Sequence, residues 1–138
     1  MDILVNNFGT SNADKDLDIQ STEYAEFLKT LDLNIGSVFL ASQAVIPHMA
    51  KNGGGSIINI SSVGGSVPDI SQIGYGTSKA AINYLTILIA TQTARDNIRC
   101  NAVLPGMTAT DAVMQNLTQN LQDFFFKHTP NKRTGTPD

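Results

Sequence analysis

Three short apolar runs constrain this chain more than anything else in it: Ile3 to Val5, Ile57 to Ile60 inside SIINISS, and Ala102 to Leu104 inside IRCNAVLPG. Each is strand-sized, and each gap between them holds a helix-length periodic segment. Strand, helix, strand, helix, strand predicts a parallel sheet in a single α/β domain. If the strands lie side by side in chain order, two right-handed crossovers place both connecting helices on one face and leave the other bare. Parallel strands this apolar are normally covered on both sides. The expectation is therefore a partial fold, residues 1–138 being the central portion of a larger domain.

Boundaries follow from local chemistry. Asn6, Asn7 and Gly9 end the first strand. Ser21 or Thr22 can cap a helix whose first turn carries Glu23 and Glu26 and whose apolar positions are Phe27, Leu28, Leu31 and Leu33. That helix runs to about Ala50, with Pro47 predicting a kink or an early end. Gly53 to Gly55 break the chain before the strand Ser56 to Ser62, and a polar loop with Gly64, Gly65 and Pro68 follows. A helix apolar on most of its circumference spans about Ile73 to Ala94, which argues burial against more than one surface. Ile98 to Gly106 forms the third strand and its turn, a last helix covers Asp111 to Lys127, and the final residues are loop.

Composition narrows the function. Apolar residues make up 41% of the chain and charged residues 15%, the latter low enough to suggest surface covered by something else. A formal charge of −3 gives no basic footprint for nucleic acid. No apolar run is long enough to span a bilayer. A single cysteine, Cys100, and an N-terminus without a signal-type segment point to a cytoplasmic setting. His48 and His128 lack companion ligands, so no metal site is expected. Cys100 reads as a small buried side chain. Phe124 to Phe126 cannot all face one core.

The stretch YGTSK carries the chemistry. Residues four apart share a helix face, so Tyr75 and Lys79 point into a common space. A free tyrosine hydroxyl ionises near pH 10, an ammonium nearby favours the phenolate, and bringing ionisation to about 7 needs roughly 4 kcal/mol of differential interaction. Such a phenol exchanges a proton with an alcohol or ketone. The helix begins beyond the C-terminal end of SIINISS, where open α/β sheets gather ligands. Ser62 closes that strand, and its hydroxyl could donate to the same carbonyl oxygen; the alternative is that Ser61 and Ser62 only cap the strand end. Gly53 to Gly55 precede a strand instead of following one, so they are no phosphate-binding turn.

Together these residues resemble the short-chain dehydrogenase/reductases. DILVNNFG is similar to that family's strand and Asn-Asn-Ala-Gly turn, with Phe8 where the pattern has alanine. LDLNIGSVF carries what resembles its catalytic asparagine at Asn34. Ser62 stands thirteen residues before Tyr75, the family's spacing, and NIRCNAVLPGMTAT resembles the strand and Pro-Gly loop beside the nicotinamide. PHMAKNGGGSIINIS and PDISQIGYGTSKAAIN are most similar to bacterial 7α-hydroxysteroid dehydrogenases.

The resemblance implies a Rossmann-like, doubly wound parallel sheet, here partial: three parallel strands with helices mainly on one face. It implies Tyr75 as general acid/base, with Lys79 favouring the phenolate and binding the nicotinamide ribose. Ser62 would orient the substrate oxygen, and Asn34 would hold a water linking Lys79 to solvent. Asn6 and Gly9 would line an NAD or NADP cofactor, with Pro105, Gly106, Thr108, Ala109 and Thr110 at its nicotinamide side. The family's Gly-x-x-x-Gly-x-Gly turn would precede Met1, and a last strand and substrate segment would follow Asp138. The implied substrate is a secondary alcohol or ketone, a bile-acid 7α-hydroxyl above all, and the segments Phe39 to Met49 and Ala80 to Ala90 would pack in a homo-oligomer. Reduction of oxoacyl thioesters or sugars, and a non-catalytic assembly module, are the alternatives.

Overall fold

The computed structural model describes residues 1–116, 123, 126–127 and 129–137. They divide into two compact units, Met1–Leu104 and Pro105–Asp138. The first unit contains a three-stranded parallel sheet in chain order: β1 (Ile3–Asn6), β2 (Gly55–Ile60) and β3 (Ile98–Val103). Ile3 stands beside Ser56 and Gly55 beside Ile98. Between β1 and β2 run α1 (Tyr24–Leu31), one π-helical turn (Asp32–Gly36) and α2 (Ser37–Lys51); between β2 and β3 runs α3 (Ile73–Thr93).

Both connections pack on the same side. Val45 and Met49 of α2, Ile57 of β2, Ile89 of α3, and Ile98 and Cys100 of β3 make one buried cluster, with Leu4, Leu85 and Ala90 against it. On the opposite face Ile3, Val5 and Val103 are 63%, 53% and 49% exposed. The bare face expected from right-handed crossovers is present.

Beneath the covered face lies a polar seam. Asn6 Nδ2 donates to Asn59 Oδ1 at 2.8 Å and Asn59 Nδ2 donates to Thr86 Oγ1 at 2.9 Å, joining β1, β2 and α3. Thr86 in turn donates to the Ile82 carbonyl. Buried amides are tolerated at such positions only when their donors and acceptors are matched.

Several boundaries differ from expectation. Neither Ser21 nor Thr22 caps α1. Thr22 Oγ1 instead accepts from the Leu17 amide at 2.8 Å and Ser21 Oγ donates to Asp18 Oδ2, so both side chains organise the preceding loop. Pro47 lies inside α2 and does not end it; the helix continues to Lys51. The carbonyl of residue 43 that proline leaves without a partner lies on the exposed side, where water can satisfy it. The helix ends at Gly53 and Gly54, whose φ values of +89° and +132° only glycine adopts without strain. The last helix is described as α4 (Asp111–Asn116), with helical residues again at 123, 126 and 127. Phe124, Phe125 and His128 lie outside the described residues, while Phe126 is half-buried.

Candidate active site

The C-terminal ends of β1 and β2 and the first two turns of α3 bring the chemistry-bearing residues together. Beyond β2, Ser61 is buried and donates through Oγ to the Lys79 carbonyl at 3.0 Å. Ser62 turns the other way. Its Oγ accepts from the Gly64 amide at 3.1 Å, closing a short 3-10 turn over Val63–Gly65. Among the described residues nothing accepts the Ser62 hydroxyl hydrogen. The two neighbours thus differ: Ser61 holds the helix, and Ser62 keeps a donor.

Gly64 locates Ser62 against the phenol. A methyl built there would stand 3.5 Å from Ser62 Oγ and 4.0 Å from Tyr75 Cε1, so hydroxyl and ring edge flank one small volume. Tyr75 is half-buried, and its hydroxyl has no partner among the described residues. The Lys79 ammonium lies 5.5 Å from the centre of the Tyr75 ring. The i, i+4 spacing on α3 therefore does bring the two side chains face to face.

Lys79 is only 3% exposed, and its Nζ donates to the Ile60 carbonyl at 3.0 Å. Burial lowers its pKa from the ordinary value, because removing an ammonium from water disfavours the charged form. An ammonium has three donors, and one is used here. A site for ribose hydroxyls needs free donors of this kind beside a close approach to the backbone. The approach is at Gly9, where a Cβ would stand 2.7 Å from Lys79 Nζ and 3.9 Å from Asn34 Oδ1.

Asn34 is fully buried in the π-helical turn, which interrupts the single helix expected to run to about Ala50. Its Oδ1 accepts from the Thr10 amide at 2.8 Å, and its Nδ2 donates to the Thr10 carbonyl and to Ser78 Oγ, each at 2.9 Å. It ties the loop after β1 to α3. Both amide hydrogens are engaged, which leaves Oδ1 one lone pair.

Asn6 differs from its neighbours. Its side chain points into the polar seam, donating to Asn59 and, at 3.3 Å, to Ser42. The sequence pattern placed it at the cofactor turn, and the structure gives its amide a structural task. Asp16 is a site residue that the sequence did not reveal: fully buried, it accepts from the Gly74 and Tyr75 amides at 2.7 and 2.9 Å. Nothing in the local sequence KDLDI signals a cap fifty-odd residues away. An N-cap is sought one to three residues ahead of its helix, and this one comes from another loop.

Pro105, Gly106, Thr108, Ala109 and Thr110 belong to the second unit. There Thr108 forms a parallel bridge with Gly135, supported by Ala109 N donating to the Gly135 carbonyl and Gly135 N to the Met107 carbonyl, each at 2.9 Å. Thr110 precedes α4, and its carbonyl accepts from the Met114 amide. Among the described residues no group of three His, Cys, Asp or Glu side chains could hold a metal ion, and no helix is long and apolar enough to cross a membrane.

Comparison with known proteins agrees with this arrangement. Residues 1–121 match the family model for short chain dehydrogenase. Across the whole chain, 51% of residues are identical to a 7alpha-hydroxysteroid dehydrogenase of Clostridium sardiniense and 52% to one of Paraclostridium sordellii. The chain covers 53% and 52% of those proteins, about half the length of the curated relatives it matches. A solved 7 alpha-hydroxysteroid dehydrogenase, complexed with NADH and 7-oxo glycochenodeoxycholic acid, superimposes with a TM-score of 0.90 at 36% identity, over 99% of this chain and 52% of that one. With its parallel sheet, its serine at the end of β2 and its Tyr-x-x-x-Lys pair on α3, the chain belongs to the short-chain dehydrogenase family.

Proposed function

We propose that the protein to which this chain contributes oxidises a secondary alcohol, or reduces the ketone, with a nicotinamide nucleotide, and that a bile-acid 7α-hydroxyl is its substrate. The observation that carries the reading is the meeting of three groups: the Tyr75 phenol with no partner, the Lys79 ammonium 5.5 Å from its ring, and the Ser62 hydroxyl beside the same ring edge. When bound, the nicotinamide supplies the hydride acceptor or donor; the proton steps fall to the chain's own residues. In oxidation, Ser62 donates to the substrate oxygen and fixes the carbinol carbon. Tyr75, as phenolate, accepts the hydroxyl proton while the Lys79 charge stabilises the negative ring.

Lys79 also directs its free donors at ribose hydroxyls, and Gly9 keeps the backbone close. The remaining lone pair on Asn34 Oδ1 is suited to holding a water that returns the proton to solvent. Asn6 contributes through the strand end it anchors, and Pro105, Gly106, Thr108, Ala109 and Thr110 keep the nicotinamide-side assignment implied by the family pattern. NAD and NADP both fit, as neither is distinguished by these residues. Phe39, Leu40, Tyr84 and Ile87, all exposed on α2 and α3, support homo-oligomer formation, and a cytoplasmic setting is consistent with the lone buried Cys100.

Substrate class is tested by following nucleotide reduction with a 7α-hydroxy bile acid and, in the reverse direction, nucleotide oxidation with an oxoacyl thioester and a keto sugar. Turnover with the bile acid alone supports the reading. Turnover confined to the thioester or sugar would replace the substrate while preserving the chemistry, and failure to bind nucleotide at all would favour a non-catalytic assembly role.

A further inference from the structure

The first turn of α3 is built by a distant loop. Gln72, immediately before it, has a left-handed backbone with φ +58°, a conformation costly for a residue with a side chain. Its amide donates to the Asp16 carbonyl at 3.1 Å, and the Ile73 amide donates to the Leu17 carbonyl at 3.0 Å. Gly74 and Tyr75 donate to Asp16 Oδ1 and Oδ2. The first bond within the helix is then Gly76 N to the Gln72 carbonyl at 2.9 Å. Every main-chain donor from 72 to 75 is held by residues 16 and 17, where a helix ordinarily uses its own N-cap.

The carboxylate suits that task. It is fully buried, it takes a third bond from Ser11 Oγ at 3.0 Å, and among the described residues it has no ion pair. The positive end of α3 compensates its charge. A Cβ at Gly74 would stand 3.0 Å from Asp16 Oδ1 and 3.1 Å from Thr30 Cβ, so glycine lets the carboxylate come this close. The same loop also carries Gly9, against the Lys79 ammonium, and Thr10, bound by Asn34.

The geometry points to Asp16 as the positioning residue for Tyr75: through its remote cap, one loop fixes the phenol in the same frame as Lys79 and Asn34. This rests on the catalytic reading of Tyr75 given above. A side chain is carried by its backbone, so loss of the cap lets the first turn fray and moves the phenol relative to Ser62. Displacements of an ångström or so at a reacting group can lower a rate by about a hundredfold.

The test places 3-fluorotyrosine in the whole chain, with the signal of Tyr75 assigned by Tyr75→Phe, and compares Asp16→Asn and Asp16→Ala with the parent. Tyr24 and Tyr84 are internal references. We expect the Tyr75 fluorine signal to shift and broaden, more in Asp16→Ala than in Asp16→Asn, while the other two stay in place. Turnover falls about tenfold to a hundredfold with the nucleotide KM within about twofold. An unmoved Tyr75 signal overturns the proposal, as does movement of all three signals together in both variants, which marks general loosening. A shifted signal with parental turnover also overturns it. A parent that binds nucleotide but turns over no substrate would defeat the catalytic reading separately, and the fluorine signals would then decide the tether by themselves.

Discussion

Replacing Lys79 with methionine separates the site's chemistry from the fold that holds it. The ammonium lies 5.5 Å from the Tyr75 ring centre in a nearly water-free position. With an effective dielectric of about 20, a unit charge at that distance stabilises a phenolate by about 3 kcal/mol. Losing that stabilisation in the transition state slows turnover roughly a hundredfold. Stability responds differently, because two effects oppose one another. The variant removes the donor to the Ile60 carbonyl, at a cost of about 1 to 3 kcal/mol for a buried acceptor. It also removes the desolvation of an ammonium whose pKa burial already lowers. The unfolding free energy should change by no more than about 1 kcal/mol. Urea unfolding and steady-state kinetics on the same preparation measure both quantities. Turnover within tenfold of the parent would refute the role of the charge. A large loss of stability in step with activity would show that Lys79 acts through the fold alone.

Other consequences follow from the same contacts. Gly9→Ala places a methyl against Lys79 Nζ; because a flexible side-chain end can yield, stability should fall by less than about 1 kcal/mol while turnover falls at least about tenfold, as kinetics and thermal melting would show. Asn59→Ala leaves Asn6 Nδ2 with only its 3.3 Å bond to Ser42 and removes the donor to Thr86, so urea unfolding should report a loss of about 3 kcal/mol. The Cys100 thiol is pushed up from 9.0 to about 11 by burial, so the folded state retains a proton that the unfolded chain releases. The contribution is fully present below pH 9 and is lost as pH rises toward 11, and the stability advantage of the parent over Cys100→Ala should shrink by about 2 kcal/mol from pH 8 to pH 11. Lys79 acts in the opposite sense, its contribution improving as pH rises to 10.5, and cancels in that comparison.

The sheet was legible because handedness and spacing depend on few residues. Three apolar runs and two helical spans dictate parallel order, and the exposed Ile3, Val5 and Val103 follow from that order. That Tyr75 and Lys79 face one another was legible from their four-residue spacing, whereas the roles expected of them and of Ser62 came from the family resemblance. Contacts between distant segments were hidden. Asp16 reads as one of several acidic residues in a polar loop, and only the closed structure sets it under Gly74 and Tyr75. The direction of the Asn6 side chain was hidden as well: it stands at the end of a strand, where alternation sends it to the covered face. Pro47 shows the converse, a strong local signal past which the helix nevertheless continues.

Tyr75→Phe removes one oxygen from this arrangement and little else, since that hydroxyl makes no bond among the described residues. Turnover of a secondary alcohol, measured alongside nucleotide binding and thermal melting, should fall by about 10³-fold, with affinity and melting temperature unchanged. If the phenylalanine variant keeps more than a tenth of parental turnover, proton transfer does not pass through Tyr75.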